Sequence, residues 1–127
     1  MRKIAFAAAF ILAITACASA ASSGAGGDRN LINFEEIERA RTPGWHAWDL
    51  IAAVRPHFLR SQSAITLTER EPVFARVYVD EIYHGEIESL KTLRLDKIMS
   101  VEFLPAFDAK TRFSEDMPGG AILIRTR

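Results

Sequence analysis

Cysteine is nearly missing from this 127-residue chain, which has Cys17 and no other. That scarcity excludes a disulfide framework and any zinc site built on cysteine pairs. Histidine is almost as rare, and His46, His57 and His84 stand at no ligand-like spacing, so no metal set is expected. Net charge is lacking too, because 16 basic residues balance 16 acidic ones. No basic field exists to attract nucleic acid. The longest apolar run, Ile4–Ile14, has eleven residues, well short of the roughly 20 that span a bilayer as a helix. Phosphate-cradling loops are missing, since Gly24-Ala25-Gly26-Gly27 follows no strand and opens no helix. Ser61, Ser63 and Ser114 sit in no nucleophile elbow and beside no identifiable base. A non-enzymatic chain without cofactors is the expectation.

What is present begins at the N-terminus. Arg2 and Lys3 precede the apolar run, and together they read as the positive and hydrophobic regions of a signal peptide over residues 1–16. Ile14-Thr15-Ala16-Cys17 resembles the lipobox of bacterial lipoproteins, in which the cysteine thiol receives a diacylglycerol before cleavage. Ordinary cleavage after Ala18-Ser19-Ala20 competes with it, as does an uncleaved anchor. Lipidation gives the lone cysteine a use that an oxidising compartment otherwise denies it. With Ala18 next to Cys17, the resemblance implies an outer-membrane destination on the periplasmic side; a soluble periplasmic protein is the alternative. Loss of Arg2 and Lys3 leaves a net charge of −2 on the remainder. Residues 17–30 are small, polar and rich in Gly and Ser, a composition suited to a flexible tether between lipid and domain.

Residues 31–127 carry one domain's worth of alternating and helical patterns. Leu31-Ile32 suits an edge strand, and Asn33 with Glu36 forms a capping-box pattern opening a helix through Ala40. Thr42-Pro43 suits the start of a second helix that turns Trp45, Trp48, Ile51, Ala52 and Leu59 inward and ends near Val54, before Pro56. Strands are expected at Ala64–Thr68, Val73–Asp80 and Ala121–Thr126, and in a run where Met99, Val101 and Phe103 share a face. Between them, Ile87, Leu90, Leu93 and Leu95 pack a turn and short helix, Asp96 caps a further turn, and Asp108 caps a last helix. Gly85, Gly119 and Gly120 mark structural turns. The fold class is α+β, a small sandwich of short strands and short helices.

The order of these segments resembles the plug domain of TonB-dependent outer-membrane receptors. The likeness is carried by Val77-Tyr78-Val79-Asp80, Gly85, Ile98–Leu104, Asp108-Ala109, Arg112-Phe113 and the closing Gly119-Gly120-Ala121-Ile122-Leu123-Ile124 with Thr126. It covers roughly residues 31–127 and is strongest from residue 73 onward. Two positions depart from the family's pattern: Glu81 stands where glycine usually follows the aspartate, and Phe113-Ser114 where tyrosine-glycine is usual. No barrel sequence follows in these 127 residues, so the resemblance implies a free-standing, lipid-anchored relative of the plug rather than a transporter.

Asp80, Glu81, Glu86 and Glu88 gather acidity in one loop. Their spacing lacks the ligand order of an EF-hand loop, which leaves them as a solvated surface for an outer-membrane or other envelope protein. The alternative is a small-molecule carrier or accessory enzyme with a pocket near Trp45 and Trp48. The anchor is tested in the producing bacterium. Intact-mass measurement should find an acylated Cys17 at the mature N-terminus, and Cys17→Ser should release the protein from membranes. Wild-type protein recovered wholly soluble and beginning at Ala21 would refute the anchor.

Overall fold

The computed structural model describes residues 28–63 and 72–127. The expected signal peptide, Cys17, most of the tether and the Ala64–Thr68 strand lie outside them. Strand β1 (Leu31–Ile32) leads through Asn33 into helix α1 (Phe34–Ala40). The capping box forms as expected: the Glu36 amide donates to Asn33 Oδ1 at 2.9 Å, and the Asn33 amide donates to Glu36 Oε2 at 3.3 Å. The other Glu36 oxygen accepts from Arg55 at 2.8 Å in a mostly buried pair. One carboxylate therefore caps α1 and ties it to the far end of helix α2 (Ala47–Val54).

Thr42-Pro43 does not open α2. The Trp45 amide instead donates to the Thr42 carbonyl at 3.1 Å, and Gly44 takes a φ of +84°. Proline then glycine at the centre of a turn is the chemistry of a type II turn, which outweighs proline's preference for a helix start. The helix begins four residues later than expected, at Ala47, where the Asp49 carboxylate accepts from the His46 amide at 3.0 Å. Its inward stripe is Ala47, Leu50 and Ile51, while Ala52 is exposed and Trp45 and Trp48 reach only the margin of the core. Pro56 ends the helix as expected and opens a 3-10 helix (Pro56–Leu59) that stacks Phe58 on Phe103 with centroids 5.3 Å apart.

The expected Val73–Asp80 strand is broken in two. Strand β3 (Pro72–Val73) pairs antiparallel with β2 (Gln62–Ser63) in a separate ribbon, and β4 (Arg76–Val79) enters the main sheet. Strand β5 (Ile82–Gly85) hairpins back from β4. Two 3-10 helices (Ile87–Thr92 and Leu95–Lys97) then bury Ile87, Leu90 and Leu95. Asp96 sits inside the second rather than capping it. Strand β6 (Ile98–Leu104) has an irregular register between Ile98 and Ser100, which puts Ile98 rather than Met99 in the core with Val101 and Phe103. Helix α3 (Ala106–Phe113) begins directly after Pro105, so Asp108 lies in its first turn and is not the cap. Strand β7 (Ala121–Thr126) closes the fold.

The sheet order is β1-β6-β7-β4-β5, with β4 and β7 parallel and the other neighbours antiparallel. Ile122 and Ile124 of β7 join the core under α1 and α2, whereas Ala121 and Leu123 join Tyr78, Leu104 and Ala109 of α3. Alternate residues of one strand thus serve opposite faces, and helices cover both. Among the described residues this is a small α+β domain around an open five-stranded sheet, with no helix long and apolar enough to cross a membrane.

Entry into β7 depends on the glycine pair. A Cβ on Gly119 would stand 2.2 Å from the Phe74 carbonyl oxygen, and one on Gly120 would stand 2.4 Å from that of Leu104. Gly120 also has a φ of +76°, a region that a β-branched residue is strongly disfavoured from entering. Gly119→Val and Gly120→Val should each therefore destabilise the domain. Ile124→Asp, which buries an unpaired charge, should cost several kcal/mol and lower Tm by more than about 10 °C. Thermal melts check all three variants; a Tm within about 2 °C of the parent for Ile124→Asp would show that the face is misassigned.

Candidate functional site

Asp80 and Glu81 alone make the turn of the β4–β5 hairpin, and Glu86 and Glu88 follow β5 at the start of the next 3-10 helix. Both take positive φ, +49° and +70°, as a two-residue hairpin of the I′ kind demands. Aspartate tolerates this region moderately well, but glutamate rarely occupies it. The side chains offset that cost by docking. Asp80 accepts two hydrogen bonds from Thr126 at the end of β7, from the amide at 3.0 Å and the hydroxyl at 2.6 Å. Glu81 pairs with Arg112 of α3.

These contacts set the acidity of the pair. Hydrogen bonds from the Thr126 hydroxyl and amide hold the Asp80 carboxyl below its ordinary 3.8. The Arg112 guanidinium does the same for Glu81, below its ordinary 4.5. Asp80 and Glu81 thus tie the hairpin tip to β7 and α3, whereas Glu86 and Glu88 stay outside the turn. Glu86 accepts from the Tyr83 hydroxyl at 3.0 Å, which holds that phenol above its ordinary 10.0. Glu88 is exposed and enters no ion pair among the described residues.

Glu86 and Glu88 flank a cleft of about 320 Å³ whose walls include Phe74, Arg76, Met117 and Gly119. Gly119 therefore serves the surface as well as the fold, since its close approach to Phe74 builds one wall of the cleft. Phe74 is 38% exposed there, and Arg76 is held by Glu115 at 3.1 Å. Neither residue stands out in the sequence, where both sit inside a run of strand-forming residues. Ile82 and Tyr83, 74% and 53% exposed on β5, are equally inconspicuous there. Gly85 completes the set at the end of β5, with Ser89 Cβ only 3.1 Å from where its own Cβ would stand.

A second cleft of about 630 Å³ lies between the Thr42–Trp45 turn and residues 94–96, lined by Arg41, Trp45, His46, Arg94 and Asp96. Trp48 does not line it, and the Lys91 ammonium stands 4.6 Å over the Trp48 ring. Every charged side chain on this cleft is more than a third exposed or at that limit, so none is desolvated as a tight ligand site requires. His46, His57 and His84 fall on separate elements. Among the described residues no group of three His, Cys, Asp or Glu side chains converges. Comparison with family models, with curated proteins and with solved structures finds no match.

The hairpin lock has a pH signature. Asp80 is a stronger acid in the fold than in the unfolded chain, so its contribution to stability is present above pH 3.8 and is lost as pH falls through the lower folded value. Asp80→Asn keeps a residue suited to positive φ but removes the charge. Melts should place the parent above the variant at pH 7, with the two converging as pH falls below 3.8. A gap of constant size down to pH 2 would show that Asp80 does not act through its ionised form.

Proposed function

We propose that this chain is an exported, lipid-anchored and non-enzymatic binding module of the cell envelope, built on the plan of a receptor plug. What supports the reading most is a coincidence between backbone and pattern. The two positions at which the plug pattern carries glycine and this chain does not, Glu81 and Ser114, both take positive φ, +70° and +57°. These turns keep the shape glycine favours although the residue has changed. At Glu81 the ion pair with Arg112 offsets the cost of that shape.

The exposed surface suits binding rather than turnover. Glu86 and Glu88 project beside a shallow cleft with an exposed phenylalanine, next to a strand that carries two exposed apolar side chains. A lipid on Cys17 would hold this surface near the membrane, and the thirteen residues from Ala18 to Asn30 would let it range over roughly 40 Å. Anchoring raises the effective concentration toward partners in the same membrane, so modest contacts suffice. Small-molecule carriage is the second reading. It would use the cleft at Trp45, but the exposure of that cleft's charges weighs against it.

Photo-crosslinking in intact cells from positions around Glu86 and Glu88 should trap an envelope protein. Glu86→Lys combined with Glu88→Lys should lower that yield while leaving Tm nearly unchanged, because exposed charges contribute little to stability and more to association. Retained crosslinking in the double variant would move the interface elsewhere. Turnover of a substrate by the purified protein, abolished by one substitution, would overturn the binding-module reading.

A further inference from the structure

The five-stranded sheet has two edges, and they are protected unequally. Sheets commonly guard their edges with short strands, proline, lysine, bulges or a covering element, because free main-chain groups invite another strand. Strand β1 spans two residues. Strand β5 spans four, Ile82-Tyr83-His84-Gly85, with neither proline nor lysine; its register against β4 shifts after Tyr83, so its regular part is Ile82-Tyr83, and among the described residues no strand lies on its outer side. Ile82, Tyr83 and His84 are all exposed. Val79 and Ile82 flank the two-residue turn, so they exchange the ladder bonds, and the alternation of an antiparallel pair turns the N–H and C=O of Tyr83 outward.

We propose that β5 is a strand-addition site that takes an extended, basic segment of a partner protein. The inference rests on the binding-module reading above and names the chemistry of its partner. Charge selects the occupant. Glu81 precedes β5, and Glu86 and Glu88 follow it. A second copy of this chain, paired antiparallel with Tyr83 opposite its own counterpart, would bring Glu86 of each copy to the Asp80–Glu81 turn of the other. Like charges brought together across a ladder destabilise it. A basic segment reverses the sign of both contacts. Glu81 is already paired with Arg112, so the stronger attraction falls at Glu86 and Glu88, where the segment would run on into the cleft beside Phe74. Main-chain bonds to Tyr83 supply affinity, and side chains laid over Ile82 and Tyr83 on opposite faces supply selectivity.

Titration of the isotope-labelled full chain with short designed peptides, followed by amide chemical shifts, tests the site. The probes are a peptide of alternating lysine and valine, the same peptide N-methylated on alternate amides, and a glutamate and valine counterpart. The lysine peptide should shift the Tyr83 amide and its neighbours. The other two should bind about tenfold or more weakly, a difference of about 1.4 kcal/mol. Glu86→Lys with Glu88→Lys should reverse the preference between the lysine and glutamate peptides. N-methylation places the lesion on the ligand, so this comparison does not depend on a β5 variant that folds. Equal binding of the N-methylated peptide, shifts confined to another surface, or no binding at all would each overturn strand addition. If any of these occurred while crosslinking in cells still depended on Glu86 and Glu88, strand addition alone would fail and the binding-module reading would stand.

Discussion

Everything in this domain is arranged around a central strand that is buried on both sides. Ala121 to Ile124 are buried without exception, and β7 is hydrogen-bonded to β6 on one side and β4 on the other. Fully burying the larger side chains among them, Ile122, Leu123 and Ile124, stabilises by about 1.5–3 kcal/mol each. Reaching that position requires the chain to pass between two backbones. Gly119 meets Phe74, Gly120 meets Leu104, and neither approach leaves room for a Cβ. Arg76 donates its amide to the Gly120 carbonyl at 3.1 Å, so the same close approach aligns β4 parallel to β7. The break in the Val73–Asp80 run belongs to this constraint, because Phe74 is where the glycine crosses.

From β7 the constraint passes to the hairpin. Strand β4 is fixed along β7, and Thr126 at the far end of β7 holds the Asp80 carboxylate. Arg112 of α3 holds Glu81, while Phe113 of the same helix stacks on Tyr78 of β4 with centroids 4.0 Å apart. Tyr78 in turn meets Tyr83 of β5 edge-on at 5.7 Å. The strained turn is therefore tied from both the sheet and the helix. Both hairpin acids are exposed carboxylates, and such pairs normally contribute little. Here they matter because they hold a backbone shape that neither residue favours, which keeps β5 in one orientation at the sheet edge.

Much of this architecture was legible in the residues, and the reasons for the failures are physical. The Asn33 and Glu36 capping box, the stop before Pro56, the face shared by Ile122 and Ile124, and the glycine pair all depend on contacts within a few residues or on a strict alternation. Those signals are local. The misplaced start of α2 arose from two local rules in conflict, because Thr42-Pro43 suits a helix start and Pro43-Gly44 suits a turn. The β-bridge that joins His46 to Arg94 shows which surroundings decided it, and no pattern near residue 42 announces residue 94. The two halves of the Val73–Asp80 run carry the same strand-forming composition, and only the crossing of Gly119 separates them. The acids Asp80 to Glu88 read as one solvated group because charge is visible in a sequence and the partners Thr126 and Arg112 are not adjacent in it.

This division of the acids decides how the surface can act. Had all four been free, the loop would be a diffuse negative patch that attracts any cation and selects poorly among partners. With Asp80 and Glu81 occupied in holding the turn, the remaining negative charge of the loop lies at Glu86 and Glu88, beside the cleft at Phe74 and at the end of an open strand. An edge strand is a hazard when it is flat, long and uncharged; β5 is short and flanked by like charges, so it resists pairing with its own copies. The same charges admit a strand of opposite sign. In the binding module proposed above, fold stability and partner choice fall to different carboxylates, so substitutions at Glu86 and Glu88 should alter recognition without loosening the hairpin that presents it.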